Sequence, residues 1–353
     1  MNHARARWRS CIEAAWRGQR LCLLALLPLS ALYGALWRIR RWAYDRAWLP
    51  SAHPGGKVLV VGNVVAGGAG KTPLTLAVVE YLRRKGYSVG LISRGYGRRG
   101  IQVEEVTATS DARQVGDEPL LLHRRTGLPV FVGADRLAAA QALRQKYPQT
   151  EVIVSDDGLQ HLRLRRDLEI CVFDAGGLGN GRLLPAGPLR EPWPRPTSDV
   201  PMLIVGPPGL NLPPLEQSVP VHRRLSDTAV NAEGQRRPLA ALRTQPLVAV
   251  AGIAHPERFF EALRAQGLTL AECHAFPDHY DFGSNLAPFL AGKEIICTEK
   301  DAVKLWCWRP EAWAVALEVE LPEAFFAAID RALATAPHHA QSHYDRAHGS
   351  PPT

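Results

Sequence analysis

Cysteine is sparse in this 353-residue chain and carries no pattern. The six cysteines (Cys11, Cys22, Cys171, Cys273, Cys297 and Cys307) form no C-x-x-C pair and no metal-ligand spacing. That excludes a disulfide scaffold and points to reduced thiols in a cytosolic compartment. Internal repeats are absent, and so is any RNA- or DNA-binding motif. The formal net charge of +8 still calls for an anionic partner: nucleic acid, anionic lipid or a phosphorylated substrate. Much of that charge flanks an apolar segment and not a row of stacking aromatics, so nucleic acid is not expected. With 46% hydrophobic and 22% charged residues the composition is that of a globular protein. The length allows two packed cores.

The N-terminal segment has no charge between Arg20 and Arg38. Residues 21–37 read LCLLALLPLSALYGALW, at the lower limit of the roughly 17–25 residues that cross a bilayer. Pro28 interrupts it, and arginines flank both ends: Arg5, Arg7, Arg9, Arg17 and Arg20 before, Arg38, Arg40, Arg41 and Arg46 after. A crossing helix biases its cations to one side, so a two-sided basic flank favours a helix lying in an anionic surface, with Trp37 and Trp42 at headgroup level. No A-x-A cleavage site follows the apolar run, against a signal peptide. A buried core helix of the same length shares this composition.

From residue 57 onward, short β-branched runs alternate with helical stretches. KVLVVGNVV, SVGLISRG, VFVG, EVIVSD, LEICVFD and PMLIVG read as strands; 73–86, 117–127 and 135–147 read as helices, the second ending on Gly127. Continuous apolar strands separated by helices predict a parallel sheet covered on both faces. A proline-rich connector follows residue 206, then a hairpin or extended linker with turn chemistry at 231–234. LVAVAGI, EIICT and AVALEVEL, with helices at 256–267 and 322–334, predict a smaller α/β domain. The last segment, HHAQSHYDRAHGSPPT, lacks apolar periodicity and reads as disordered.

Chemistry concentrates where the first strand ends. Val65, Ala66, Gly67, Gly68, Ala69, Gly70, Lys71 and Thr72 lie between that strand and a helix, the Walker A context. Glycines let backbone amides curl around phosphate oxygens, and the helix N-terminus adds its dipole. Lys71 reaches the β- and γ-phosphates, and the Thr72 hydroxyl ligands Mg²⁺. Val65 stands where the pattern asks for glycine. The strand EVIVSDDG ends in Asp156 and Asp157, the place of a carboxylate that holds Mg²⁺ directly or through water. Carboxylates also end strands merely as turn formers.

The chain resembles the tetraacyldisaccharide 4'-kinase family up to about residue 335, in ordered blocks: VGNVVAGGAGKTPL, SRGYGR, VGDEPLLL, VGADR, SDDGLQH, LLPAGPLREP, FPDHYDF and TEKDAVK. It departs from that pattern at Val65, often Thr or Ser there, and at Tyr280, which replaces a frequent His. The resemblance implies transfer of the ATP γ-phosphate to the 4'-hydroxyl of an acylated glucosamine disaccharide 1-phosphate, at the cytoplasmic face of the bacterial inner membrane. Asp117 is then expected as the base and His279 as its partner, with Glu118 assisting Mg²⁺ or substrate. Asp117 also fits a helix N-cap. Arg94, Arg98, Tyr96, Arg190 and Lys300 are expected to address the acceptor, with Glu191 holding Arg190. The Trp306-Cys307-Trp308 cluster reads as packing. The expected organisation is a membrane-associated helix region (1–50), a P-loop kinase core with a mostly parallel sheet (51–215), a linker or hairpin (216–243), a smaller α/β domain (244–335) and the tail (336–353). A membrane-associated ATPase of the partition or targeting type is the alternative. Those loops carry Lys before the glycine pair, where this chain has Ala66.

Overall fold

The computed structural model describes residues 16, 25–196, 198–213, 218–283 and 292–336. The expected disordered tail, apart from Ala336, and the first residues of the apolar N-terminal run lie outside these.

Two sheets organise the chain. The first is built from β1 (Lys57–Gly62), β2 (Val89–Ser93), β3 (Glu104–Val106), β4 (Val130–Val132), β5 (Val152–Asp156), β6 (Leu168–Val172), β7 (Met202–Gly206) and β8 (Val219–Pro220). Their order is β3-β4-β2-β5-β1-β6-β7-β8. All neighbours are parallel except the edge pair β3–β4. Alternation sorts the side chains to two faces. Leu59, Val61, Val152, Val154 and Ile170 join one buried cluster, and Val58, Val60, Ile153 and Cys171 join the other. Helices α2 (Lys71–Arg84) and α4 (Asp117–Thr126) cover the first face, whereas α5 (Arg136–Lys146) covers the second. The one-turn α3 (Ala112–Val115) precedes α4. Asp135 starts α5 by accepting from the amides of Leu137 (3.0 Å) and Ala138 (3.3 Å), which satisfies two otherwise orphaned donors.

The second sheet has the order β10-β9-β14-β13-β11-β12. Its strands are β9 (His222–Val230), β10 (Arg236–Pro238), β11 (Leu247–Ala251), β12 (Leu270–Ala275), β13 (Ile295–Thr298) and β14 (Trp313–Glu320). Helices α6 (Pro256–Ala265) and α7 (Glu299–Leu305) pack on its opposite faces. The hairpin expected as a connector is integral to this sheet, because β9 pairs antiparallel with β14 and places Leu225 and Ala229 in the core. β12 and α7 are elements that sequence periodicity did not separate from loop.

The last helix, α8 (Glu323–Thr335), returns to the first sheet. Phe325, Ile329 and Leu333 are buried with Leu74, Val78 and Leu82 of α2, and Phe326 stacks on Tyr81 at 4.4 Å. The amphipathic pattern that marks it as a surface helix does not say which sheet it covers.

Helix α1 (Leu27–Asp45) lies against the segment 183–190 that follows the first sheet's β6. Ser30 Oγ donates to the Leu183 carbonyl (2.8 Å) and Tyr33 Oη to the Arg190 carbonyl (2.5 Å). A Cβ on Gly34 would meet Leu183 Cδ1 at 2.8 Å, so glycine permits the close approach. Leu29, Leu32, Leu36 and Ile39 project outward and are exposed. Among the described residues, no helix is long and apolar enough to cross a membrane.

Because α8 closes the first core from the far end of the chain, truncation there is expected to destabilise the nucleotide-binding half. Ile329→Ala should lower unfolding stability by about 2–5 kcal/mol, read as a fall in the urea midpoint at unchanged m-value.

Candidate active site

The phosphate loop leaves β1 at Gly62 and enters α2 at Lys71. Gly70, the residue before α2, has φ +74°, a left-handed conformation that costs glycine little. Lys71 Nζ donates to Asn63 Oδ1 (3.3 Å) and stands 3.6 Å from Asp157 Oδ1. The front of the loop is pinned. Val65 pairs antiparallel with Leu189, Ala66 N–H donates to the Pro188 carbonyl (2.7 Å), and Asn63 Nδ2 donates to the Val65 carbonyl (2.5 Å). A β-branched residue at 65 suits that bridge. The Ala66 amide of the expected phosphate loop is thereby engaged by Pro188.

Beneath Lys71 lie two carboxylates of unlike character. Asp156 is fully buried, and its Oδ1 accepts from Thr75 Oγ1 (3.1 Å). Burial, reinforced by the charges of Glu118 and Asp157, pushes its carboxyl up to about 7. Asp157 has φ +51° and accepts from Arg190 Nη1 (3.1 Å). Burial alone would raise its carboxyl, but Lys71 and then Arg190 outweigh that and hold it below the ordinary range. No group of three or more His, Cys, Asp or Glu side chains among the described residues stands at metal-ligand spacing. Asp156 Oδ2 is nevertheless buried without a hydrogen-bond partner, and Thr72, Asp157 and Glu118 supply further oxygen donors nearby. Hard oxygen donors with excess negative charge fit Mg²⁺, which binds through one or two carboxylates beside substrate phosphates.

Across the cleft, α4 begins at Asp117. Gly116, at φ +96°, is the N-cap, so Asp117 is the first helical residue and not the cap. Asp117 is 7% exposed. Two donors from the second half of the chain meet on its Oδ2: His279 Nδ1 at 3.1 Å and Lys304 Nζ at 2.8 Å. Burial pushes this carboxyl up, yet the His279 hydrogen bond and the Lys304 charge prevail and hold it low. His279 itself sits at φ +62°, a strained backbone for a non-glycine residue. Its Nε2 lies 3.3 Å from Lys300 Nζ, which also donates to Glu118 Oε1 and Asp278 Oδ1, each at 3.1 Å. Those two carboxylates hold the Lys300 ammonium charged in spite of its burial. A cleft of about 420 Å³ between the halves is lined by the loop from Gly68 to Thr72 and by Glu118, Arg223, Asp278 and Lys300.

The residues expected to meet the acceptor divide. Tyr96, exposed, rests its ring on His279 with centroids 5.0 Å apart. Arg94 is exposed on the same loop. Arg190 faces Asp157. Glu191 does not hold Arg190. It is 1% exposed and accepts from Gln160 Nε2 (2.8 Å) and Arg195 Nε (3.2 Å). Gln160 Nε2 also donates to the Asn63 carbonyl (3.0 Å), so Glu191 braces the strand end that carries the loop. Three residues with clear places were not singled out from sequence: Thr75, Lys304 and Arg223. The TEKDAVK block contained Lys304, but lysine in a helix carries no signal of its own until a partner from 187 positions away is known.

Comparison with known proteins agrees with this fold. The sequence profile described as tetraacyldisaccharide-1-P 4'-kinase (LpxK) matches residues 22–334. The tetraacyldisaccharide 4'-kinase of Delftia acidovorans is 50% identical over 324 residues, 91% of this chain and 94% of that protein. Its counterpart from Acidovorax sp. is 51% identical, covering 92% and 94%. The crystal structure of LpxK from Aquifex aeolicus in complex with ATP superposes with a TM-score of 0.76 at 29% identity, covering 89% of this chain and 100% of that one. These relatives leave the partition-type ATPase alternative unfavoured. With a matching profile over most of its length, relatives at about half identity and the same mixed α/β fold, the chain belongs to the tetraacyldisaccharide 4'-kinase family, ATP-dependent kinases of lipid A biosynthesis.

Proposed function

We propose that Asp117 and His279 work as a unit that takes the proton from the sugar 4'-hydroxyl while that oxygen attacks the γ-phosphorus of ATP. The observation that carries this reading is the 3.1 Å contact between His279 Nδ1 and Asp117 Oδ2, opposite the phosphate loop. The hydroxyl oxygen forms a bond to phosphorus, the bond from phosphorus to the β–γ bridging oxygen breaks, and the proton passes to Asp117. In a loose transition state the attacking hydroxyl turns acidic only late, so a carboxylate of low basicity suffices when well placed. His279 orients that carboxylate, and Lys304 keeps it ionised at neutral pH. Lys71, with the amides from Gly67 to Thr72, holds the β- and γ-phosphates against the charge that develops on them. Mg²⁺, when bound through Thr72, Asp156 or Asp157 with Glu118 close by, neutralises phosphate charge. Arg94, Arg98, Tyr96 and Arg190 would address the acylated disaccharide 1-phosphate, the guanidinium forks its anomeric phosphate and the ring its sugar face. Glu191 supports this side indirectly, through Gln160.

The same reading places the enzyme on the cytoplasmic face of the inner membrane. Leu29, Leu32, Leu36 and Ile39 repeat at helical spacing and face outward together. Arg38, Arg40, Arg41 and Arg46 follow at the end of that helix, where anionic headgroups would meet them.

Three outcomes test these roles. Lys71→Ala and Asp117→Asn should each lower kcat by about 10²–10³-fold with the lipid KM little changed; activity close to that of the parent for Asp117→Asn would remove it from the reaction. Lys304→Met takes away one of the two contacts that hold Asp117 low and leaves the His279 hydrogen bond alone against burial, so the carboxyl rises. The acid limb of the kcat/KM profile should then move to higher pH, and an unmoved limb would show that this limb belongs to another group. Leu32→Ser with Leu36→Ser should abolish sedimentation with anionic vesicles and keep ATP binding. Substitution is the cleaner test than deletion of α1, because the opposite face of that helix hydrogen-bonds the segment carrying Arg190.

A further inference from the structure

Arg223 stands on β9, in the second sheet, yet its guanidinium ends at the phosphate loop of the first. One terminal nitrogen donates to the Ala69 carbonyl (2.7 Å) and to the Phe173 carbonyl just past β6 (3.2 Å). Its Nε is buried with no hydrogen-bond partner. A Cβ built on Gly70 would lie 3.0 Å from the guanidinium carbon, so the plane packs flat on the loop. Asp174 provides the nearby countercharge, shared with Arg258 at 3.7 Å.

We infer that Arg223 is a positioning residue for ATP: it fixes the rear of the phosphate loop so that the amide donors face the nucleotide. A trans peptide points its C=O and N–H in opposite directions. Drawing the Ala69 carbonyl onto Arg223 therefore aims the Gly70 N–H away from the guanidinium, toward the concave side of the loop. The front of the loop is held through Ala66 by Pro188; between these two anchors Gly67 has open space on its Cβ side, whereas Gly68 is approached by the Ala254 side chain. The second contact, to Phe173, sets the height of the loop against β6. Guanidinium suits this place because one terminal nitrogen reaches two carbonyl oxygens while the plane packs on Gly70. The tie also links ATP affinity to the second sheet, since β9 is anchored by its ladder with β14, where Arg223 stands opposite Val319.

Steady-state rates of the full chain with ATP and the lipid varied separately, together with calorimetric titration of ATP, test this. Arg223→Ala should raise the ATP KM and Kd by about tenfold, leave the lipid KM within about twofold, and be partly rescued by Arg223→Lys, whose ammonium can hold one carbonyl. An ATP KM unchanged in Arg223→Ala overturns the inference. So does an equal rise in both KM values with no rescue by lysine, which marks a general loss of structure. If Arg223→Ala does not fold, Arg223→Lys decides alone: an ATP KM raised about threefold at unchanged lipid KM supports the role, and an ATP KM equal to the parent's refutes it.

Discussion

Asp117 is the point where the two halves of this enzyme become one site. Its carboxylate belongs to the first sheet by way of α4, and both donors that engage its Oδ2 belong to the second. A nearly buried carboxylate is costly unless charge and hydrogen bonds compensate it. Lys304 and His279 provide that compensation only while the two sheets stand at this separation. The same contacts keep the carboxylate ionised and fix its rotamer. Electrostatics that hold the halves together and electrostatics that would prepare the proposed base for proton transfer are here one interaction. Lys300, bridging Glu118 and Asp278, repeats the device one step closer to the phosphate loop.

Around this link, a layer of paired groups sets the loop itself. Asp157 lies between Lys71 and Arg190, and Gln160 connects Asn63 to Glu191. The segment 183–190 has α1 on one side, through Ser30 and Tyr33, and the loop on the other, through Pro188 and Leu189. A helix with an apolar outer stripe is therefore two hydrogen-bonded steps from the ATP site. Asp156 contrasts with this satisfied network. Its buried Oδ2 has no hydrogen-bond partner and burial raises the carboxyl, which supports the cation role proposed for it.

Much of the fold was legible because its signals are local. Buried parallel strands show as continuous β-branched runs, and Gly127 and Asp135 mark a helix end and a helix start through backbone chemistry within a few residues. The connection of β9 to β14 and the return of α8 to the first sheet were not legible. An amphipathic pattern states that a face is buried without stating against what. β12 escaped for a related reason: its residues are only partly buried, so neither alternation nor a continuous apolar run develops.

The sequence by itself determined the parallel-sheet architecture, the phosphate loop with Lys71 and Thr72, and the carboxylates at 156 and 157, since each depends on neighbours in the chain. Its ordered motifs also singled out Asp117 and His279, which the structure brings into contact. Only the tertiary structure decided what those groups do to one another. It made Lys304 the partner of Asp117, moved Glu191 from Arg190 to Gln160 and Arg195, engaged the Ala66 amide, and brought Arg223 onto the loop. These pairings join residues tens to hundreds of positions apart, or turn on which way a single side chain points. Long-range charge and hydrogen-bond geometry leaves no periodicity in a sequence, so it appears only once the two sheets have packed.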